Sequence, residues 1–360
     1  MTYKETPLIK KIIDGSGHIL ILQADNPDAD SLGSSLALEQ ILGELGKQVS
    51  LYCSADMPIY LRYLNGWDRV RNDLPKKFDA SIIVDASTYS LFEKLQSGGE
   101  MGWVTAKPTI VLDHHRTVEN PLTFAKAIVC DADASSTGEV IYRLAKQLGW
   151  VIDDKIGVFI MSAILGDTQG LSNELASVET YRTMAELIEA GVNRPGLEEA
   201  RREFAKMPEA IFRYKARLIE RTELTANGRI ASVTVGQKEI NEFSPLYNPA
   251  PLIQNDMLQT ADVVVAIVFK HYANGRVTAA IRTNSGYPIA DQLAKKMGGG
   301  GHANASGFKI VDGQSLEEIK AKCLELCVKL LDNLDEENSD RETIQHAQPK
   351  DRNGPASKPA

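Results

Sequence analysis

Nearly continuous apolar runs alternate with segments of helical periodicity through the first half of the chain. The runs HILILQA at 18–24 and TIVLD at 109–113 are examples. Strands of this kind are typical of a parallel sheet that helices cover on both faces. The pattern predicts an α/β domain, with strands at 18–24, 49–53, 80–86, 109–113 and 127–131 and helices at 31–47, 136–150, 153–167 and 177–191.

The pattern changes after residue 191. The segment 192–224 is charged and has helical spacing, which predicts a helical linker. The strands that follow are richer in β-branched residues, and an Asn274-Gly275 turn joins two of them into a hairpin. They predict a smaller α/β domain with a mixed sheet, with strands at 229–236, 262–270 and 276–284 and helices at 288–297 and 315–334.

Length and composition agree with two domains, because 360 residues can form two separate hydrophobic cores. The last segment, 335–360, is polar and acidic and then contains Pro and Ser, so it buries too little apolar surface to fold. We therefore expect a first domain at 1–191, a helical linker at 192–224, a second domain at 225–334 and a disordered tail at 335–360.

The net charge of −8 argues against a general affinity for the phosphate backbone of long nucleic acids. Any nucleic-acid substrate should be short and held locally. No uninterrupted apolar run approaches the roughly 20 residues that a membrane helix needs. The first residues, MTYKETPLIKKIIDG, lack the apolar core of a signal peptide. We expect a cytoplasmic protein with no membrane partner.

Side chains that can bind metals follow the predicted elements in the first half of the chain. Carboxylates or imidazoles come at the ends of four apolar segments, at Asp28 and Asp30, Asp85, Asp113-His114-His115, and Asp167. The carboxyl edge of a parallel sheet is where ligands bind. Each group alone is more typical of a turn or a helix cap, but four in succession favour a metal site. A mainly oxygen set suits Mn²⁺ or Mg²⁺.

A second signal is the glycine-rich segment KMGGGGHANASGF at 296–308. Consecutive glycines cost conformational entropy and add nothing to a core, so their use is close backbone approach. Successive backbone N–H groups can bind an anion, which predicts a substrate-binding segment at Gly299, Gly300, Gly301 and His302. Arg282 is a candidate for a terminal phosphate, although a surface ion pair is nearly as simple an interpretation.

Taken together, the motifs resemble the DHH phosphoesterase superfamily, in the branch with a DHH-associated C-terminal domain. That branch includes nanoRNases that also act as 3′-phosphoadenosine 5′-phosphate phosphatases. The motifs NPDADS, VDAS, DHHR, GDT and GGGGHANASG occur in the family's order, and the resemblance covers roughly residues 15–330. It implies two α/β domains with the active site in the cleft between them.

Carried over by position, the resemblance also assigns roles to individual residues. It implies a group of metal ligands, namely Asp28, Asp30, Asp85, His114 and Asp167, with Asp85 between two ions. His115 would contact the scissile phosphate or act as general acid, and Arg116 would help with phosphate charge. The far end of the substrate would be held by Gly299, Gly300, Gly301, His302 and Arg282.

One position departs from the family's pattern. The first motif of the family usually begins with a histidine that binds the first metal, and Ala24 stands there in this chain. Asp25 is the neighbouring candidate for an oxygen ligand, but strand alternation would aim it elsewhere. We therefore expect a first metal site that is weaker, differently liganded, or filled only with substrate.

The function implied is a manganese-dependent phosphoesterase that uses two ions, Mn²⁺ or alternatively Mg²⁺, to activate water. Its expected substrates are short oligoribonucleotides, linear dinucleotides and 3′-phosphoadenosine 5′-phosphate, with long nucleic acid excluded and a homodimer left open. The enzyme alternatives are a RecJ-type single-strand exonuclease, a cyclic-dinucleotide phosphodiesterase and, as a minor one, a pyrophosphatase. An alternative of another class is a catalytically degenerate nucleotide-binding regulator.

Overall fold

A computed structural model describes residues 2–115, 120–244 and 247–347 of the chain. The described residues separate into two compact units, one ending at Lys206 and the other beginning at Met207. The segment 192–224, predicted as a linker, contains two helices, of which the first belongs to one unit and the second to the other. The domain limits drawn from the sequence therefore stay a prediction.

A parallel sheet forms the centre of the first unit. Its strands are β1 His18–Leu22, β2 Gln48–Tyr52, β3 Val70–Arg71, β4 Ala80–Val84, β5 Thr109–Asp113 and β6 Ala127–Cys130. They pair in parallel in the order β3-β2-β1-β4-β5-β6. This confirms the predicted parallel sheet. Strand β3 was not predicted, because a strand of two residues carries no hydrophobic pattern.

Helices cover both faces of this sheet. They are α1 Thr6–Asp14, α2 Ala29–Glu44, α3 Glu93–Ser97, α4 Met101–Thr105, α5 Thr137–Leu148, α6 Asp154–Asp167, α7 Val178–Glu189 and α8 Arg194–Phe204. Alternate residues of β1 enter different cores, with Ile19 and Ile21 against the long helices and Leu20 and Leu22 against α3 and α4. The two cores explain why the central strands are apolar over most of their length.

The second unit is a mixed sheet with helices. Its strands are β7 Glu223–Thr225, β8 Ile230–Gly236, β9 Val265–His271, β10 Val277–Thr283, β11 Gly300–His302 and β12 Ala305–Ile310, in the order β11-β12-β10-β9-β8-β7. β8 and β9 run parallel, whereas the other described pairs are antiparallel. The helices are α9 Glu209–Glu220, α10 Gln237–Phe243, α11 Pro249–Leu258, α12 Ala290–Lys296 and α13 Leu316–Ala347. The predicted smaller α/β fold is confirmed.

The last helix continues beyond the point where the sequence predicted disorder. α13 runs to Ala347, and near its middle Asp335 forms an ion pair with Arg229, with 2.7 Å between oxygen and nitrogen. The predicted tail at 335–360 is therefore wrong over its first part. Residues 335–347 contain neither Gly nor Pro, so a helix that starts in the core can extend through them. Residues 348–360 lie outside the described part of the chain.

In the described part of the chain, none of the helices combines the length and apolar character that crossing a membrane requires.

Close contact between three helices of the first unit depends on glycine. A Cβ atom on Gly33 of α2 would lie 2.6 Å from the carbonyl oxygen of Phe159 in α6. A Cβ on Gly138 of α5 would lie 2.4 Å from the Cβ of Ala163, also in α6. These helix backbones approach each other more closely than side chains would allow. Their ends carry the polar residues of the candidate site.

Gly33→Ala should destabilise the first unit by about 1–3 kcal/mol, because the new methyl group overlaps a backbone oxygen that cannot rotate away. Gly43→Ala is the matched control in the same helix, since its Cβ would meet nothing within 4 Å. The control should be neutral or stabilise by up to about 1 kcal/mol. Urea unfolding of the full chain measures both. Equal stability of the two variants would show that α2 and α6 do not depend on this contact.

Candidate metal centre

The first acidic residues of the site follow β1 and open α2. Asp28 is the N-cap of α2: its carboxylate accepts a hydrogen bond from the Ser31 backbone N–H at 3.0 Å. The Ser31 hydroxyl in turn accepts one from the Asp28 N–H at 2.9 Å. This capping box fixes the backbone of the loop. Asp28 therefore has a structural role whether or not it also binds a metal.

Asp30 is the second residue of α2 and is fully buried. Its carboxylate accepts hydrogen bonds from the backbone N–H groups of Thr137 at 2.6 Å and Gly138 at 2.9 Å, at the start of α5. The hydroxyl of Ser34 donates a third, at 3.0 Å. Burial and the nearby carboxylate of Asp167 raise the pKa of Asp30 to about 7. One helix thus supplies the carboxylate and another helix holds it.

Asp85 directly follows β4 and has a left-handed backbone, with a φ of 57°. Its backbone N–H still donates to Leu112 of β5 at 2.9 Å, so the sheet pairing continues to this residue. The Asp85 side chain is buried, and it accepts a bond from the Thr137 hydroxyl at 3.3 Å. Its pKa is raised well above the usual range, first by burial and then by the charge of Asp30.

His114 brings an imidazole to these carboxylates. Its Nε2 atom lies 2.9 Å from an oxygen of Asp167, 3.6 Å from one of Asp30 and 3.7 Å from one of Asp85. Burial lowers the pKa of His114, but the carboxylates outweigh this effect and raise it to about 9. Among the described residues, this buried nitrogen has no hydrogen bond of good geometry. The Nε2 atom is therefore placed so that it could bind the same metal ion as the surrounding carboxylate oxygens.

His115 occupies a different position, with its side chain 54% exposed. Its Nδ1 donates to an oxygen of Asp113 at 2.7 Å, and the hydroxyl of Ser87 donates to the other oxygen. Burial raises the pKa of Asp113, but the hydrogen bonds from His115 and Ser87 and the charge of His115 together outweigh it and lower that pKa. In turn, the bond to Asp113 raises the pKa of His115. The ionised carboxylate of Asp113 therefore keeps a proton on the Nδ1 atom of His115.

The residues present fit a divalent cation. Among the described residues, two groups have ligand atoms within 4.8 Å of one another, Asp30–His114–Asp167 and Asp85–His114–His115. Asp30 and Asp85 both have raised pKa values, which reflect like charges confined away from water. A bound cation would relieve that repulsion. Hard oxygen donors with imidazole suit Mn²⁺ or Mg²⁺ better than a soft metal.

Comparison with known families identifies both halves of the chain. Residues 18–165 match the model of the DHH family N-terminal domain, and residues 250–329 match that of the DHHA1 domain. The chain belongs to the DHH family and carries a DHHA1 domain. It is therefore a phosphoesterase, an enzyme of the hydrolase class.

Two relatives of this DHH protein are named bifunctional oligoribonuclease and PAP phosphatase NrnA. The one from Bacillus subtilis is 23% identical over 315 residues, covering 86% of this chain and 94% of the relative. The one from Thermus thermophilus is 26% identical over 314 residues, covering 86% and 89%. The solved structure of an exopolyphosphatase-related protein from Bacteroides fragilis has a TM-score of 0.78 at 20% identity, covering 91% of this chain and 98% of that one. That likeness shows a shared fold.

The position where the DHH family usually has a histidine is apolar in this protein. Ala24 is buried, and its carbonyl oxygen lies 3.2 Å from the sulfur of Cys53. The carboxylate of Asp25 accepts bonds from the Ser54 hydroxyl and, at 3.0 Å, from the Lys94 backbone N–H. Asp25 thus connects neighbouring loops and has its oxygens occupied, in keeping with strand alternation aiming it away from the other carboxylates.

The glycine-rich segment of the DHHA1 domain forms an edge hairpin. Gly300 pairs with Gly307 and Gly301 with Ser306, antiparallel. A Cβ on Gly299 would lie 2.1 Å from the carbonyl oxygen of Gly307, so glycine is required there for backbone contact. This packing of backbone against backbone is a structural reason for glycine in the segment. Anion binding by this segment stays a prediction.

Two other predicted residues of the DHH protein have limited descriptions. Arg282 is exposed on β10, opposite Ala266 and Ala305. His302 ends the edge strand β11, and its side chain is not described. Arg116 lies outside the described residues. The substrate-contacting roles of these residues remain predictions.

Sequence reasoning missed two groups that organise the DHH site. Thr137 and Gly138 hold Asp30 through backbone N–H groups, which no residue type reveals. Asp113 was recognised only as part of a triplet, although it holds His115. The available signal was an aspartate directly before two histidines at a strand end. Because strand alternation turns neighbouring side chains to different sides, Asp113 and His115 could be expected on the same side.

Asp113→Asn should lower the pKa of His115 toward its ordinary value, because an amide oxygen stabilises the imidazolium less than a carboxylate does. NMR titration of the histidine rings in metal-free protein measures this. Asp73→Asn removes an exposed carboxylate elsewhere in the same domain and should leave the titration of His115 unchanged. An unaltered His115 titration in Asp113→Asn would contradict the pairing.

Proposed function

We propose that this DHH protein hydrolyses short oligoribonucleotides, linear dinucleotides and 3′-phosphoadenosine 5′-phosphate with the help of Mn²⁺. The observation that carries the proposal is the convergence of Asp30, Asp85 and Asp167 on the Nε2 atom of His114. A buried set of carboxylates around one imidazole suits a hard divalent cation. The names of the two NrnA relatives support the choice of substrates.

We assign the metal ligands as Asp28, Asp30, Asp85, His114 and Asp167. Two ions with Asp85 between them are part of the proposal, and Mg²⁺ is the alternative to Mn²⁺. When bound, such ions would lower the pKa of water and offset the negative charge of a phosphate. The loss of a histidine at Ala24 leaves one ion with fewer ligands from the chain. We expect that ion to bind more weakly than the one at His114.

His115 is the proposed proton donor to the leaving oxygen. Its Nδ1 is engaged by Asp113, so the remaining ring nitrogen is the one available to a substrate. The raised pKa of His115 favours the protonated ring, which a general acid requires at the start of the reaction. Its half-exposed side chain is accessible to a phosphate, unlike that of His114.

The wild-type chain with Mn²⁺ should release mononucleotides fastest from the shortest members of an RNA series, and phosphate from 3′-phosphoadenosine 5′-phosphate. Asp85→Asn should reduce both rates at least about 100-fold, because even the partners of metal ligands contribute 10- to 100-fold. Chromatographic analysis of products over RNA lengths from the dinucleotide upward measures these rates.

Asp73→Asn is the control for loss of a carboxylate, since it removes only an exposed partner of Arg71. It should keep the wild-type rates. Faster cleavage of long single strands than of dinucleotides would favour a RecJ-type exonuclease instead. Dinucleotide binding with no product under Mn²⁺ or Mg²⁺ would indicate the degenerate nucleotide-binding regulator and overturn the proposal.

A further inference from the structure

A cavity opens beside the metal centre within the first unit. Its volume is about 350 Å³, and Asp28 and Asp167 contribute to its wall. Pockets of roughly this size accept small organic ligands. The cavity therefore borders two proposed metal ligands and leaves room beside the metal centre for part of a substrate. The other walls show what could occupy that space.

An aromatic side chain forms the outer wall. Tyr60 belongs to the short 3-10 helix Ile59–Leu61, which is anchored by the fully buried Leu61. Tyr60 is 53% exposed, whereas tyrosine is typically of intermediate burial in folded domains. Asp28 is close enough that its charge adds to the effect of desolvation and raises the pKa of Tyr60. Tyr60 is thus an open aromatic surface beside the carboxylates.

Tyr63 and Arg201 complete the cavity. Tyr63 is only partly buried, so part of its ring remains accessible. Arg201 comes from α8, which packs against the 3-10 helix. Glu198 holds the guanidinium with two hydrogen bonds, at 2.8 and 3.0 Å. The walls of the cavity are therefore acidic on one side, aromatic at the two tyrosines, and cationic at the guanidinium of Arg201.

We propose that this cavity binds the nucleoside that adjoins the scissile phosphate, with its base stacked on Tyr60. The inference rests on the proposed function, because a phosphate at the metal centre would place its attached nucleoside within a few ångströms. Every nucleobase has a π-face, so stacking on tyrosine accepts different sequences. Arg201 offers donors and a flat surface for the same base.

The chemistry of the walls distinguishes a base from other occupants. A second phosphate would compete for Arg201 with Glu198, which already engages its guanidinium through two hydrogen bonds, and an aliphatic chain would gain nothing from that guanidinium. An aromatic, polar-edged group satisfies both the rings and the cation. Binding at this cavity would also make the enzyme favour nucleotides over simple phosphate esters.

The test compares a dinucleotide with the same compound lacking one base, using the full chain and Mn²⁺. Tyr60→Ala should raise KM for the dinucleotide about 5- to 150-fold, the range that loss of one base–aromatic stack gives. The increase should be much smaller for the abasic compound. Tyr60→Phe keeps the ring and should recover most of the dinucleotide affinity.

Trp103→Ala is the matched control, because this ring is 54% exposed and lies in α4, away from the cavity. It should retain wild-type KM values, and thermal unfolding should confirm that each variant folds. A dinucleotide KM in Tyr60→Ala equal to that of wild type would overturn the inference and leave the proposed function standing. Equal increases for both compounds would also overturn it. An inactive wild-type chain would instead refute the proposed function.

Discussion

Asp30 is a buried carboxylate held by the backbone of another helix, and the geometry of the candidate site depends on this contact. Moving a carboxylate out of water is costly unless hydrogen bonds replace its hydration. The N–H groups of Thr137 and Gly138 supply that replacement at the positive end of α5. Because Asp30 cannot leave without exposing those groups unpaired, α2 and α5 are fixed relative to each other at the sheet edge.

Close helix packing and sheet topology bring the remaining groups to the same place. Gly33 allows α2 to touch α6, whose last residue is Asp167. The neighbouring strands β4 and β5 end directly before Asp85 and directly before His114, so parallel pairing sets these two residues side by side. The result is a set of like charges that the fold alone does not neutralise. That unbalanced charge is the physical reason to expect a cation.

Much of this arrangement could be predicted from the sequence because it follows from local patterns. Apolar runs such as Ile19–Leu22 and Thr109–Leu112 located the strands, and polar residues after them located the site. The backbone contacts to Asp30 and the left-handed Asp85 could not be predicted, since they depend on neighbouring elements rather than on residue type. The glycine run was interpreted as a backbone approach to an anion, and the pairing of Gly300 with Gly307 could not be predicted because it is a tertiary contact. The helix beyond Asp335 was missed because composition does not report continuation from a folded core.

From the unbalanced charge we infer that the carboxylates around His114 form a divalent metal centre. Crystals of the full chain grown with Mn²⁺ would test it most directly through anomalous scattering. We expect a strong peak bonded to His114 Nε2 and to oxygens of Asp30, Asp85 or Asp167, with a weaker second peak on the side of Asp28. An ordered site with no anomalous peak at saturating Mn²⁺, and with His114 paired only to Asp167, would contradict it.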